Sequence, residues 1–184
     1  GLVAVAPVHH HAAERHLVVA CPRVEAQRGH VAAGTAVHHA IAICLQHRMK
    51  GLPIDVDDVL GAYREAWSNE GFLNPQHEEH VYRAGEQALR DFVTGEEQSG
   101  RVPLAIEMDF RFKLGGDVVS GRWDRIDERA AGIVLVDYKT TGVEDREEAE
   151  SRAKESVGKG QLGLYALAYE QTRGARPHSA ELVF

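Results

Sequence analysis

Two cysteines among 184 residues, Cys21 and Cys44, are too few for a disulfide framework and, alone, for a zinc or iron–sulfur cage. A reduced cytosol is the expected setting. No apolar run approaches the roughly 20 residues of a membrane-spanning helix, and the longest, such as Ile133 to Val136, have the length of a strand. No basic stretch followed by an apolar one opens the chain at Gly1, so no secretory leader is read there. Positive charge is also short. With 21 Lys and Arg against 28 Asp and Glu the net charge is −7, which argues against coating nucleic acid by bulk charge and leaves a local basic groove as the route to such a partner. Repeats and low-complexity linkers are absent.

What is there has the composition of a globule, 43% hydrophobic and 27% charged. A chain of this size buries close to about 70% of its extended surface, which excludes a disordered or fibrous chain. One domain over residues 1–184 is expected. Gly1 opens without a methionine and Ala180 to Phe184 stop inside what reads as a strand, so the chain is expected to be part of something longer.

The first half reads as helical. Val37, Ile41, Cys44 and Leu45 recur at helical spacing in Thr35 to Lys50, with Thr35 as N-cap and Gly51 and Pro53 as stops. Asp55 precedes a helix over Val56 to Trp67 that aligns Val59, Leu60, Tyr63 and Trp67. Asn74-Pro75 opens a longer one, with Val81, Ala84, Ala88, Leu89 and Phe92 as its core face. The period then changes to two. Ile106, Met108, Phe110, Phe112 and Leu114 alternate with Glu107, Asp109, Arg111 and Lys113, as in a strand with one buried face. Gly115-Gly116-Asp117 is a turn, Val118 to Asp127 the returning strand, and Ile133 to Val136 a strand buried on both faces. A charged helix over Asp145 to Glu155, a break at Val157 to Gly160, a helix over Gln161 to Thr172 and a strand from Ser179 follow. The order is mixed α/β, with a crossover able to make the last strand parallel to its neighbour.

Charge at the ends of apolar strands marks the chemistry. Alternation sends Leu135, Asp137 and Lys139 one way and Val136 and Tyr138 the other, so Asp137 and Lys139 are neighbours about 6.5 to 7 Å apart. Such a pair is either an intra-strand ion pair or part of an ion site. The returning strand ends its motif in Asp124, and adjacent antiparallel pairing does not by itself unite Asp124 with Asp137; curvature or a bulge is needed. United, two carboxylates and water suit a hard dication such as magnesium or manganese.

The ordered set Gly34-Thr35-x-x-His38, Gly121-Arg122-Trp123-Asp124, Val136-Asp137-Tyr138-Lys139-Thr140 and Gln161-x-x-x-Tyr165 resembles the RecB-like branch of the PD-(D/E)XK nuclease superfamily, over about Cys21 to Phe184. The resemblance implies a restriction-endonuclease-like α/β fold, a central mixed sheet flanked by helices, that cuts DNA phosphodiesters with a divalent metal. It implies His38, Asp124, Asp137 and the Tyr138 carbonyl as ligands to Mg2+ or Mn2+, the imidazole favouring manganese. Lys139 takes the catalytic lysine's place, orienting or deprotonating the water, and Gln161 with Tyr165 faces the site and the DNA. Glu107 takes a supporting position. A single helical histidine, or two polar residues on one helix face, would alone be read as surface features; their company changes that reading.

Arg122, Arg125, Lys139, Arg152, Lys154, Lys159, Arg173 and Arg176 gather after residue 120, and Arg122, Arg125 and Lys159 are the leading phosphate contacts. Asp127 is read as a partner of Arg125 or Arg129. His9, His10, His11, His16 and His30 offer a weaker zinc alternative. Some relatives carry an iron–sulfur cluster; Cys21 matches its first ligand, but nothing after Cys44 completes one within these residues. The expected function is an exonuclease-type DNase domain of a bacterial, cytoplasmic repair helicase–nuclease, working on single strands or DNA ends with a covalently linked or associated superfamily 1 helicase. The alternatives are an inactive nuclease-like module that binds DNA or docks a helicase, and a regulatory domain using its helical half as an interface.

Overall fold

In a computed structural model the described residues are 3–6, 28–72, 74–140, 147, 151 and 160–183. The expected helix over Asp145 to Glu155, the break after it, Lys159, Arg152, Lys154, Cys21 and the histidines at 9, 10, 11 and 16 lie outside them, as does the side chain of His30. The fold is α/β and forms two compact units.

One unit is built on α1 (Arg28–Met49), α2 (Val56–Ala66) and α3 (Pro75–Ser99) and includes Lys139 and Thr140. The caps are those the sequence supplies. The Asp55 carboxylate accepts the Asp57 amide and the Asn74 side chain accepts the His77 amide, both at 2.8 Å, while Gly100 closes α3 with a left-handed φ of 62°. Helix α1 begins at Arg28 rather than Thr35, because alanine is a strong helix former and Ala33 and Ala36 are both buried, which leaves Thr35 inside the helix and exposed. On α3, Ala84 and Ala88 are exposed; the buried stripe is Leu89, Val93 and Glu96, one position round from the expected face. The Arg48 guanidinium of α1 donates to the Glu96 carbonyl of α3.

The other unit is a five-stranded sheet with one helix. Its strands are β1 (Val3–Ala6), β2 (Ala105–Leu114), β3 (Asp117–Arg129), β4 (Gly132–Tyr138) and β5 (Ser179–Val183), ordered β1-β5-β4-β3-β2. Pairing is antiparallel except between β4 and β5, which are parallel, as the crossover through α4 (Gln161–Arg173) anticipates. Strand β1, paired with β5, was not legible in the sequence. Among the described residues no helix is long and apolar enough to cross a membrane.

Helix α4 covers one sheet face. Its Leu162, Ala168 and Tyr169 join Ala105, Phe110, Phe112, Trp123, Ile126, Leu135, Ala180 and Leu182 in one buried cluster. Leu114, expected in that face, sits at the hairpin tip and is exposed. Phe110 lies opposite Gly121 across the β2–β3 pair, and a Cβ on Gly121 would come within 2.5 Å of the Phe110 ring. The ring therefore fills the space a side chain would need, which is why glycine opens the Gly121-Arg122-Trp123-Asp124 motif. Because Phe110 is buried and cannot swing into solvent, Gly121→Ala is expected to destabilise the protein by about 1–3 kcal/mol. A lowered urea midpoint at unchanged slope checks this.

Candidate metal centre

The register settles where the two aspartates meet. Strand β3 does not end at Asp124 but runs on to Arg129, and Arg125 pairs with Val136 across the β3–β4 hairpin. One step further, the same register sets Asp124 opposite Asp137, at the point where β3 departs from regular alternation between Trp123 and Ile126, as the sequence reading required of the sheet. The closeness is visible in a hydrogen bond: the Tyr138 amide donates to Asp124 Oδ2 at 2.9 Å. Asp137 is only 5% exposed.

A third carboxylate arrives from β2. The pairs Ile106–Arg125 and Met108–Trp123 bracket Glu107 and Asp124 as opposite residues, and one carboxylate oxygen of each lies within 4.8 Å of the other. Glu107 has a φ of 46°, the left-handed region, inside a strand. For a residue other than glycine this costs about 1–3 kcal/mol, and such strain gathers where a side chain must be aimed. It also absorbs a break in alternation. Ala105 and Phe110 belong to one cluster although an odd step separates them, and so do Trp123 and Ile126 on the partner strand. The break lets consecutive residues serve the same side: the Trp123 indole donates to the Tyr165 carbonyl at 3.3 Å, while Asp124 meets Asp137.

Helix α4 closes the arrangement. Gln161 and Tyr165, one turn apart, are joined by a 3.3 Å bond from the amide Nε2 to the phenol oxygen, and the Tyr165 hydroxyl bonds to the Asp137 carboxylate. Burial, and then the charge of Asp137, push the Tyr165 hydroxyl well above the ordinary tyrosine range. It is a donor throughout the neutral range.

The sheet unit thus unites Glu107, Asp124, Asp137, Gln161, Tyr165 and the Tyr138 main chain. His38, on α1, and Lys139, just past β4, are both half-buried and belong to the helical unit. In that unit Gly34 faces Thr140, and a Cβ there would stand 3.0 Å from the threonine hydroxyl; the start of the Gly34-Thr35-x-x-His38 motif is packed against the residue after Lys139.

The donor set fits a hard dication. Around one ion with metal–oxygen bonds of about 2.1 Å, two ligand oxygens are about 3 Å apart when adjacent and about 4.2 Å when opposite, and the Glu107–Asp124 spacing admits a shared ion.

The expected phosphate contacts change. Arg125 is 3% exposed and gives Nε to Asp127 at 2.6 Å and a guanidinium nitrogen to the Tyr138 hydroxyl at 3.3 Å, so it is a buried structural cation and not a groove residue. Arg122 is exposed but already paired, to Asp109 at 2.6 Å and to Glu107 at 3.3 Å, and its bond holds the Asp109 carboxyl below its usual range. Arg176 pairs with Glu170 at 2.9 Å, and Arg173 reaches the Met108 sulfur at 2.8 Å. Asp127 pairs with both Arg125 and Arg129.

A family model of the PD-(D/E)XK nuclease superfamily matches residues 7–184, nearly the whole chain. No curated protein matches it.

The raised Tyr165 ionisation has a definite sign. The folded chain holds this proton more tightly than the unfolded one, so the stability it brings is whole below about pH 10, the unfolded tyrosine value, and is lost as pH rises beyond it. In an alkaline absorbance titration at constant temperature, Tyr165→Phe is expected to remove part of the late-ionising phenol signal and to flatten the fall of stability above that pH.

Proposed function

The chain belongs to the PD-(D/E)XK nuclease superfamily, and from that premise we propose that it is a metal-dependent deoxyribonuclease that hydrolyses phosphodiesters, with residues 1–184 acting as one nuclease domain. The observation that carries the proposal is the carboxylate set itself, with Glu107 and Asp124 oxygens close enough to share an ion and Asp137 on the neighbouring strand, where the Tyr138 amide reaches Asp124.

Asp124, Asp137 and Glu107 would hold Mg2+ or Mn2+, with the Tyr138 carbonyl and, by the motif order, His38 as further ligands. When bound, such an ion relieves charge on the phosphoryl oxygens and makes its water a stronger nucleophile. Lys139 is the residue to orient that water or take its proton. Tyr165 holds Asp137 through its hydroxyl and is itself fixed by Gln161, so the helix face keeps one carboxylate in place while it meets the nucleic acid. The RecB-like order of the motifs extends the proposal to exonucleolytic work on single strands or DNA ends delivered by a superfamily 1 helicase in DNA repair.

Cleavage of end-labelled single-stranded and blunt duplex DNA with Mg2+ or Mn2+ tests the reading. Asp137→Asn and Lys139→Ala are expected to lower the rate at least about 100-fold, the scale of a few kcal/mol of lost transition-state stabilisation. Unchanged cleavage in both would remove the assignment, and metal uptake without cleavage of any DNA by the unsubstituted protein would return the inactive-module reading. Glu107→Asn supplies a separate check. Asparagine accepts a left-handed backbone, so this variant should be at least as stable as the parent to urea while binding Mn2+ more weakly by calorimetry.

A further inference from the structure

On the sheet face opposite α4, the residues alternating with the carboxylate pair are themselves ionic and buried. Arg125 and Asp127 are 3% and 2% exposed and Glu181 is 7% exposed. Arg125 joins Asp127 at 2.6 Å and the Tyr138 hydroxyl at 3.3 Å; Arg129 joins Asp127 at 3.1 Å and grips both oxygens of Glu181 at 2.7 and 2.9 Å. The links run from β3 to β4 through Tyr138 and from β3 to β5 through Glu181. Apolar side chains would fill a sheet face as well, and a buried ionic lattice is at best a neutral route to stability. What directional links add is a register.

From this placement we infer that the Arg125–Asp127–Arg129 lattice is a positioning device, with Arg125 and the Tyr138 side chain setting the register and tilt at which Asp124 and Asp137 face each other. The inference rests on the metal-site reading above. Arg125 follows Asp124 and Tyr138 follows Asp137, so the guanidinium–phenol bond spans the same two strand positions from behind, and the Tyr138 amide, on the residue whose hydroxyl is held, donates to Asp124. A slip of one residue between β3 and β4 would put the two aspartates on opposite faces of the sheet. Rotation of the Tyr138 backbone within the correct register would release the amide from Asp124 and open the oxygen pair.

Arg125→Ala strands the Asp127 carboxylate in a buried site and risks unfolding, so the informative variant is Tyr138→Phe, which removes one oxygen and keeps the ring. Two readouts apply to the whole chain. Calorimetric titration with Mn2+ alone should give a dissociation constant raised by about tenfold, the lower end of what losing an outer-shell partner costs a metal site. Amide hydrogen exchange without metal should accelerate about tenfold at residue 138, the partner of Asp124, with the amides of Phe112 and Val119 on the β2–β3 hairpin unchanged. Unchanged Mn2+ affinity together with unchanged exchange at 138 overturns the inference, as does a uniform acceleration across β3 and β4, the mark of a purely structural role. If the unsubstituted protein takes up no Mn2+, the metal reading falls and the exchange result alone decides whether the lattice positions the aspartates.

Discussion

Three carboxylates are held together on the inner part of a sheet, and the rest of the sheet unit is arranged to tolerate them. At about 5 Å and an effective dielectric near 20, two such charges repel by about 3 kcal/mol. The chain gives each of them a hydrogen-bond donor. Asp124 takes a main-chain amide, Asp137 takes a phenol that burial keeps protonated, and Glu107 takes the exposed guanidinium of Arg122. The amide and the phenol each aim a hydrogen-bond donor at one carboxylate and so fix where its oxygens point. Glu107 adds a left-handed backbone inside a strand, a strain that aims its carboxylate while Ala105 and Phe110 both reach the core.

The motif Gly121-Arg122-Trp123-Asp124 shows how tightly such a centre binds its surroundings. Gly121 yields space to the Phe110 ring, and Trp123 anchors α4 through the Tyr165 carbonyl and an edge-on contact with Tyr169 at 5.7 Å. Arg122 bridges two carboxylates on the neighbouring strand. Each position answers to a different neighbour, so the four letters are a local record of one strand's contacts. The Asp137 strand reads in the same way, with inward residues toward the carboxylate site and outward ones toward the ionic lattice.

Much of this was legible from residue types and spacing. Asp55 and Asn74 declare the starts of α2 and α3 because a cap is a local event, and Gly115-Gly116 declares the β2–β3 turn for the same reason. The residues of the sheet-borne site were legible as a set, since Asp124, Asp137, Gln161 and Tyr165 are the chemistry-bearing letters of their segments. Their meeting was not. Register depends on where β3 ends, and the polar residues from Glu128 read as a turn until Arg129 is seen to spend its charge on Asp127 and Glu181 inside the fold. Arg125, expected as a phosphate contact, is buried instead, and the alternation of 125, 127 and 129 on one face is the available signal. Glu107 is legible only as a supporting residue, because alternation assumes extended backbone and its φ of 46° breaks that assumption. Strand β1 pairs with a segment far along the chain, which no local pattern can announce.

The negative total charge becomes compatible with a polyanionic substrate once its location is known. Residues 55–99, which include α2 and α3, carry eleven carboxylates and three arginines, a balance of −8 against −7 for the whole chain. Everything else therefore sums to +1. Screening over about 8 Å at physiological salt makes the local balance, and not the total, the quantity a phosphate chain meets. For the proposed DNA substrate the acidic stretch repels, and the remainder of the chain is nearly neutral. With Arg125 buried and Arg122 and Arg176 committed to carboxylates, arginine density is a poor source of affinity there. Under the proposed function, cations held by Glu107, Asp124 and Asp137 would add to the attraction, so that the charge which binds the phosphate would also be the charge that activates it. On this reasoning DNA affinity rises with the divalent ion, opposite to the behaviour of a protein that binds through fixed basic residues alone, whose affinity added cations only lower.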